Sequence, residues 1–177
     1  HIRFLATTGG TMDLSSLQTV IKPGNGYAAF SAASGGTLKL GDLLITDNVN
    51  LSAADAASKI IAESLDLAAS ASISIVDGET QVDLDEALVH FHTAGEHWLE
   101  VGGEDLGPND AGPGNFALGR LIVGSDTAAA TVTLVDLVDN SAGAPDALYL
   151  RGSGGLDGLA ILGGSMLILG DVPTYAH

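Results

Sequence analysis

The chain has 177 residues, with 22 acidic against 6 basic side chains and a net charge of −16. Such a surface repels phosphate backbones and anionic bilayers, so the sequence predicts no nucleic-acid partner and no membrane insertion. Its 46% hydrophobic content is too high for a disordered chain, but aromatics are only 5% and glycine reaches 24 residues, so the expected core is one of small aliphatic side chains in regular layers.

Cysteine is absent and no apolar run is long enough to cross a bilayer, so neither a disulfide framework nor a membrane-spanning helix is expected. The sequence opens on His1 rather than Met. Either an upstream export segment has been removed or His1 is a fragment boundary; export is the favoured expectation, with a secreted, extracellular or cell-surface location.

From Gly9 to about Ile75 the pattern has period two in short bursts. TMDL (Thr11–Leu14), TLKL (Thr37–Leu40), NVNLS (Asn48–Ser52), SLDL (Ser64–Leu67) and SISI (Ser72–Ile75) each alternate apolar with polar or small residues. Alternation sends one set of side chains inward and the other outward on a half-buried strand. The alanine-rich stretch from Ser52 to Ile75 has some helical propensity, but its many serines and the SISI segment favour strand.

One phrase occurs twice. TTGGTMDLSSL at Thr7–Leu17 returns as ASGGTLKLGDL at Ala33–Leu43, so that Thr37 stands where Thr11 stood. An antiparallel sandwich built of hairpins gives no reason for such a repeat. Stacked parallel units do, because each puts the same side chain into the same layer.

The repeat therefore predicts Met12 and Leu14 over Leu38 and Leu40 in one inward column, with Leu17 and Leu43 in the next corner. The pairs Gly9-Gly10 and Gly35-Gly36 would supply the corner backbone. A later echo is GGSMLILGD at Gly163–Asp171, and a looser one is GETQVDLDEAL at Gly78–Leu88. Val101–Asn115 reads as a long Gly/Pro/Asp loop, and the more hydrophobic strands that follow are interrupted by a second loop at Asp139–Asp146. The fold expectation is a single all-β domain spanning residues 1–177: a single-stranded right-handed parallel β-helix (β-solenoid) with short degenerate coils and a few projecting loops.

GGTMDLSSL and GGTLKLGDL resemble the repeats of large secreted β-solenoid proteins of planctomycetes and related bacteria. The stretch ATVTLVDLVDNSAGAPDALYLRG, followed by GGSMLILGD, is similar to the end of the solenoid region in those proteins. The resemblance implies an exported surface or extracellular-matrix protein with a parallel β-helix, and it implies no catalytic residues. The chain differs from that pattern at DVPTYAH, where no anchor or dockerin-like loop is recognisable.

Chemistry-bearing residues are few. In VHFHTAGEHW, His90 and His92 are two apart and would face the same way on a strand, with Glu96 and His97 after a short turn. Imidazole and carboxylate suit Zn²⁺ or Cu²⁺, but the spacing matches no strong signature, and surface histidines are the plainer reading. Phe91 and Trp98 are the aromatics that could meet a sugar.

Carboxylates gather as Asp83, Asp85 and Glu86, as Glu100, Glu104 and Asp105, and as Asp136, Asp139 and Asp146. Ca²⁺ is the cofactor these oxygens would suit, against a solvated acidic coat. The basic residues are too dispersed to grip an anionic polysaccharide, so a polysaccharide-active enzyme ranks last.

The favoured expectation is a non-enzymatic extracellular structural protein that polymerises with copies of itself, end to end or by strand exchange, into a filament or surface layer. Its interface would be Ile2, Phe4 and Leu5 at one end and Met166, Leu167, Ile168 and Leu169 at the other, because neither segment reads as a polar cap. The alternative is a monomeric adhesin or carbohydrate-binding module that recognises cell-surface glycans.

Overall fold

The computed structural model describes the chain except residues 22–25, 47, 70, 78–81, 109–114, 139–144 and 153. The alternating bursts become strands, and no helix forms among the described residues. The strands up to the histidine-rich stretch are β1 (Ile2–Ala6), β2 (Thr11–Leu14), β3 (Thr19–Val20), β4 (Tyr27–Ala32), β5 (Thr37–Ile45), β6 (Asn48–Ala53), β7 (Lys59–Leu67), β8 (Ile73–Asp77) and β9 (Val82–Phe91). Beyond it come β10 (Gly95–Glu100), β11 (Gly103–Glu104), β12 (Leu118–Val123), β13 (Ala130–Val135), β14 (Asp146–Leu150), β15 (Leu159–Ile161), β16 (Met166–Ile168) and β17 (Thr174–Ala176).

Successive strands mostly alternate between two sheets. One sheet has the order β1-β4-β6-β8-β10-β13-β16; the other runs β11-β14-β12-β9-β7-β5-β2, with β3, β15 and β17 paired to β5, β12 and β14. Pairing between named strands is parallel except for β11 with β14. The expectation of an all-β fold with parallel strands is met.

The repeated phrase sets the register as its spacing predicts. Met12 pairs with Leu38, Asp13 with Lys39 and Leu14 with Leu40. Leu38 continues to Ile60 and then Val82, so each of these strands adds one apolar side chain to this column between the sheets. A second column runs Val20, Ile45, Leu67, Phe91, Val123, Ile161. On the facing sheet Phe4 stacks flat on Phe30 with centroids 5.1 Å apart. These columns form one core of buried aliphatic and phenyl groups. Each fully buried Leu or Ile contributes roughly 1.5–3 kcal/mol relative to an exposed one.

The glycine corners have a specific conformation. Thr8 and Gly9 both take positive φ (58° and 67°), and so do Ser34 and Gly35 (52° and 76°). The N–H of Gly10 donates to the Thr7 carbonyl (3.1 Å) and that of Gly36 to the Ala33 carbonyl (3.0 Å), closing two tight turns of the same form. Positive φ at both central residues is why glycine recurs at the second of them. Gly36 is needed for a different reason: a Cβ there would lie 2.5 Å from the Ala6 backbone of the turn stacked beside it.

Three expectations change. Leu43 lies within strand β5, paired with Leu65, just past a shift of the inward alternation at Leu40-Gly41, and only Leu17 occupies a turn. The late echo repeats the turn, with Gly163 and Gly164 at φ 58° and 74°, but it delivers β16 into the seven-stranded sheet, whereas β2 and β5 belong to the other. The predicted loop at 101–115 is not simply projecting over its described part. Gly103–Glu104 pair with β14, the Leu106 N–H donates to the Tyr149 hydroxyl (2.8 Å), and the Tyr175 hydroxyl donates to Asp105 Oδ1 (2.9 Å). Residues 109–114 of that loop and 139–144 of the second lie outside the described residues.

Candidate functional site

The histidine-rich stretch straddles the two sheets, because β9 ends at Phe91 and the turn at Thr93-Ala94 sends β10 into the other sheet. His90 and His92 stay on the outer face of the ten-stranded sheet, with ring centroids 5.6 Å apart. Register places Asp66 of β7 beside His90. His92 Nδ1 makes a short contact with Asp66 Oδ1, and His90 Nδ1 lies 3.5 Å from the same oxygen. One ligand-type atom from each of the three side chains lies within 4.8 Å of the other two.

His90 is also held from behind: its Nε2 is 3.0 Å from the Gly124 carbonyl oxygen. A carbonyl only accepts, so Nε2–H donates to it and Nδ1 is the nitrogen turned toward Asp66.

The other two predicted metal ligands are elsewhere. His97 is only 3% exposed; its Nδ1 lies 2.7 Å from the Ala71 carbonyl and its Nε2 3.2 Å from that of Thr93. Neither nitrogen is open to an ion. Glu96, next to it, is exposed on the outer face of the seven-stranded sheet. A residue that sequence reasoning missed, Asp66, replaces both. Its signal was the spacing: the step from Asp66 to His90 equals those from Leu65 to Val89 and from Leu67 to Phe91 on the same pair of strands.

The aromatic pair divides in the same way. Phe91 is fully buried against His97, with centroids 5.1 Å apart, so it cannot touch a sugar. Trp98 is half-buried on the outer face and lines a shallow groove of about 520 Å³ with Glu96, Thr131, Thr133, Val135, Leu137 and Ile168.

No family model, curated protein or solved structure matches the chain. Function therefore has to be read from its own side chains.

Two of the predicted acidic residues already have cationic neighbours. Lys59 Nζ lies 2.7 Å from Asp83 and Arg151 Nη2 3.1 Å from Asp85. Burial pushes the Asp85 carboxyl above its ordinary range, and the Arg151 guanidinium opposes that only in part. Glu100 has no exposed surface. Its Oε1 accepts from the Leu137 and Val138 N–H groups (2.7 and 3.0 Å), Oε2 has no hydrogen-bond partner among the described residues, and burial raises its pKa.

The predicted interface residues occupy opposite edges of one sheet, β1 and β16. Ile2 and Phe4 pair with core residues Ala28 and Phe30, and Leu167 with Val132, so these three are the last members of core columns. Leu5, Met166 and Ile168 pair with Ser31, Thr131 and Thr133 and so share the outward face; Leu169 follows β16, 42% exposed. Ile161 ends its own column at 47% exposed, although its neighbour Val123 is fully buried.

Proposed function

We propose that the chain winds as a right-handed β-solenoid and serves as an extracellular structural subunit whose copies join head to tail. The observation that supports this reading most directly is that the core columns run off both ends. Ile2, Phe4, Met12 and Leu14 are only partly buried at one end, as are Leu159 and Leu167 at the other, where Ile161 is exposed. An edge strand with unpaired backbone groups and an apolar column beneath it is a template for another strand.

Strand direction fits the same reading. The seven-stranded sheet is parallel throughout, so β16 of one copy and β1 of the next could pair in the same sense by simple translation along the stack. Such a heterologous contact does not close on itself and produces a filament. Right-handed winding is the near-universal choice for a parallel crossover. The acidic groups Glu63, Asp66, Asp83, Asp85 and Glu86 lie on β7 and β9, in the middle of the other sheet, away from both edges. The resemblance of the repeated glycine phrase to secreted solenoid proteins supports a location outside the cell.

Light scattering and negative-stain electron microscopy across a concentration series test assembly directly. The expected result is elongated particles that shorten when Leu5→Lys and Ile168→Lys are combined, since both side chains face outward at the edges. A strictly monomeric protein at every concentration, with and without Ca²⁺, would overturn it.

A second reading has its own observation, the Trp98 groove with its Glu96 carboxylate and two threonine hydroxyls. Indole faces stack on sugar rings and nearby polar groups orient the hydroxyls, which suits a module binding cell-surface glycans. Retention on a glycan array that disappears in Trp98→Ala would favour this reading.

A further inference from the structure

We propose that Asp66, His90 and His92 form a site for one Zn²⁺ ion on the outer face of the ten-stranded sheet. The proposal stands apart from the assembly reading, because the site lies on β7 and at the end of β9, not at either end of the stack. Four features support it.

The three ligand-type atoms already converge within 4.8 Å. Around a tetrahedral Zn²⁺ with bonds of about 2.1 Å, ligand atoms sit roughly 3.4 Å apart. Rotating half-exposed side chains covers that difference without moving backbone, since Asp66 and His90 are fixed as register neighbours.

The donor set is two imidazole nitrogens and one carboxylate oxygen, which suits Zn²⁺ and not the all-oxygen preference of Ca²⁺. It leaves a fourth tetrahedral position for water.

His90 is already oriented as a ligand. Its Nε2–H is directed at the Gly124 carbonyl, the arrangement by which proteins fix the tautomer of a metal-bound histidine. Gly124 takes φ +78°, and a Cβ there would strike Ser165 Oγ at 1.8 Å, so glycine is required where that carbonyl is presented.

His90 Nδ1 and Asp66 Oδ1 face each other at 3.5 Å, close to the roughly 3.4 Å between two ligand atoms on one tetrahedral ion. A cation between them meets both at once. The chain's net charge of −16 raises the local concentration of cations around it.

The test uses the intact protein stripped of metal and freed of chelator. Co²⁺ is titrated as a spectroscopic stand-in and then displaced by Zn²⁺, with calorimetry giving the stoichiometry. One Zn²⁺ per chain is expected, with an intensified visible Co²⁺ band that Zn²⁺ abolishes. Asp66→Asn and His92→Gln should each weaken binding by roughly tenfold or more. His1→Ala and His177→Ala, which alter histidines outside the cluster, should not.

Melting of the unmodified protein is a second readout that needs no variant to fold. Zn²⁺ should raise Tm at concentrations where Ca²⁺ and Mg²⁺ do nothing. Unsaturable binding by the parent, or equal binding by the variant lacking all three side chains, would overturn the proposal and leave Asp66 and His92 as an ion pair.

Discussion

The chain from β1 to β9 and the chain beyond β10 stack strands by the same rule but with different steps. In the first region a strand soon meets its neighbour, as in the pairings of Tyr27 with Asn48 and of Ile2 with Ala28. In the second the step lengthens, pairing Gly95 with Ala130, Thr131 with Met166 and Leu121 with Leu159. A short step leaves room for little besides two strands and tight turns, so turn chemistry and column identity are both tightly constrained. A long step frees chain to fold over the outside. There the segment after Val101 is pinned by Tyr149 and Tyr175, and the Leu137 and Val138 N–H groups donate to Glu100. Regularity builds the first region; added contacts distinguish the second.

Truncation inside a short-step column should show the largest effect. Phe30 is fully buried and stacked on Phe4, so Phe30→Ala should cost about 3–5 kcal/mol in urea unfolding. The same truncation at exposed Leu156 should stay within about 0.5 kcal/mol. Equal losses at the two sites would mean that the stacked column does not hold Phe30 in place.

The stacked turns come next. Gly36→Ala forces a Cβ against the Ala6 backbone and should cost about 1–3 kcal/mol or more. Gly164→Ala, with open space around it but φ at 74°, should cost only the left-handed strain of about 1–2 kcal/mol. Chemical denaturation of the two variants side by side measures the difference.

Glu100 tests the covering segment of the second region. Its folded pKa is raised, so its contribution to stability is fully present below the ordinary carboxylate value of 4.5 and is lost as pH rises through the folded value. Glu100→Gln cannot ionise and keeps an acceptor for the Leu137 and Val138 N–H groups. Its Tm relative to the parent should therefore improve as pH rises from the acid side of that value to neutrality. A difference independent of pH would mean that the carboxyl is not desolvated in the folded protein.

The smallest effect belongs to Asp55, which clamps a turn in the first region. Its carboxylate accepts from Ser58 Oγ (2.9 Å) and from the Ser34 and Ala57 N–H groups (2.6 and 3.1 Å). The Ser58 hydroxyl, with the backbone donors, holds its pKa below 3.8 despite some desolvation. Its stabilisation is present above 3.8 and fades as pH falls through the lower folded value. Asp55→Ala should thus lower Tm at neutral pH and converge with the parent in strong acid, read by thermal scans under the two conditions.

Alternation along the chain is enough to mark the apolar-polar bursts as strands and to align the first two turns of the pattern. Period-two alternation fixes which side chains face inward, and the repeat of one phrase forces Met12 onto Leu38 and Leu14 onto Leu40. Which sheet each strand joins is not written in that alternation, because it depends on the turns between strands. The turn through Thr93 and Ala94 parts His92 from Glu96 and sends His97 into the core. Register between β7 and β9 brings Asp66 to His90. The turn Gly163-Gly164 repeats the early corner yet feeds the opposite sheet. Local pattern specifies inside and outside; contact between distant positions is a property of the stack.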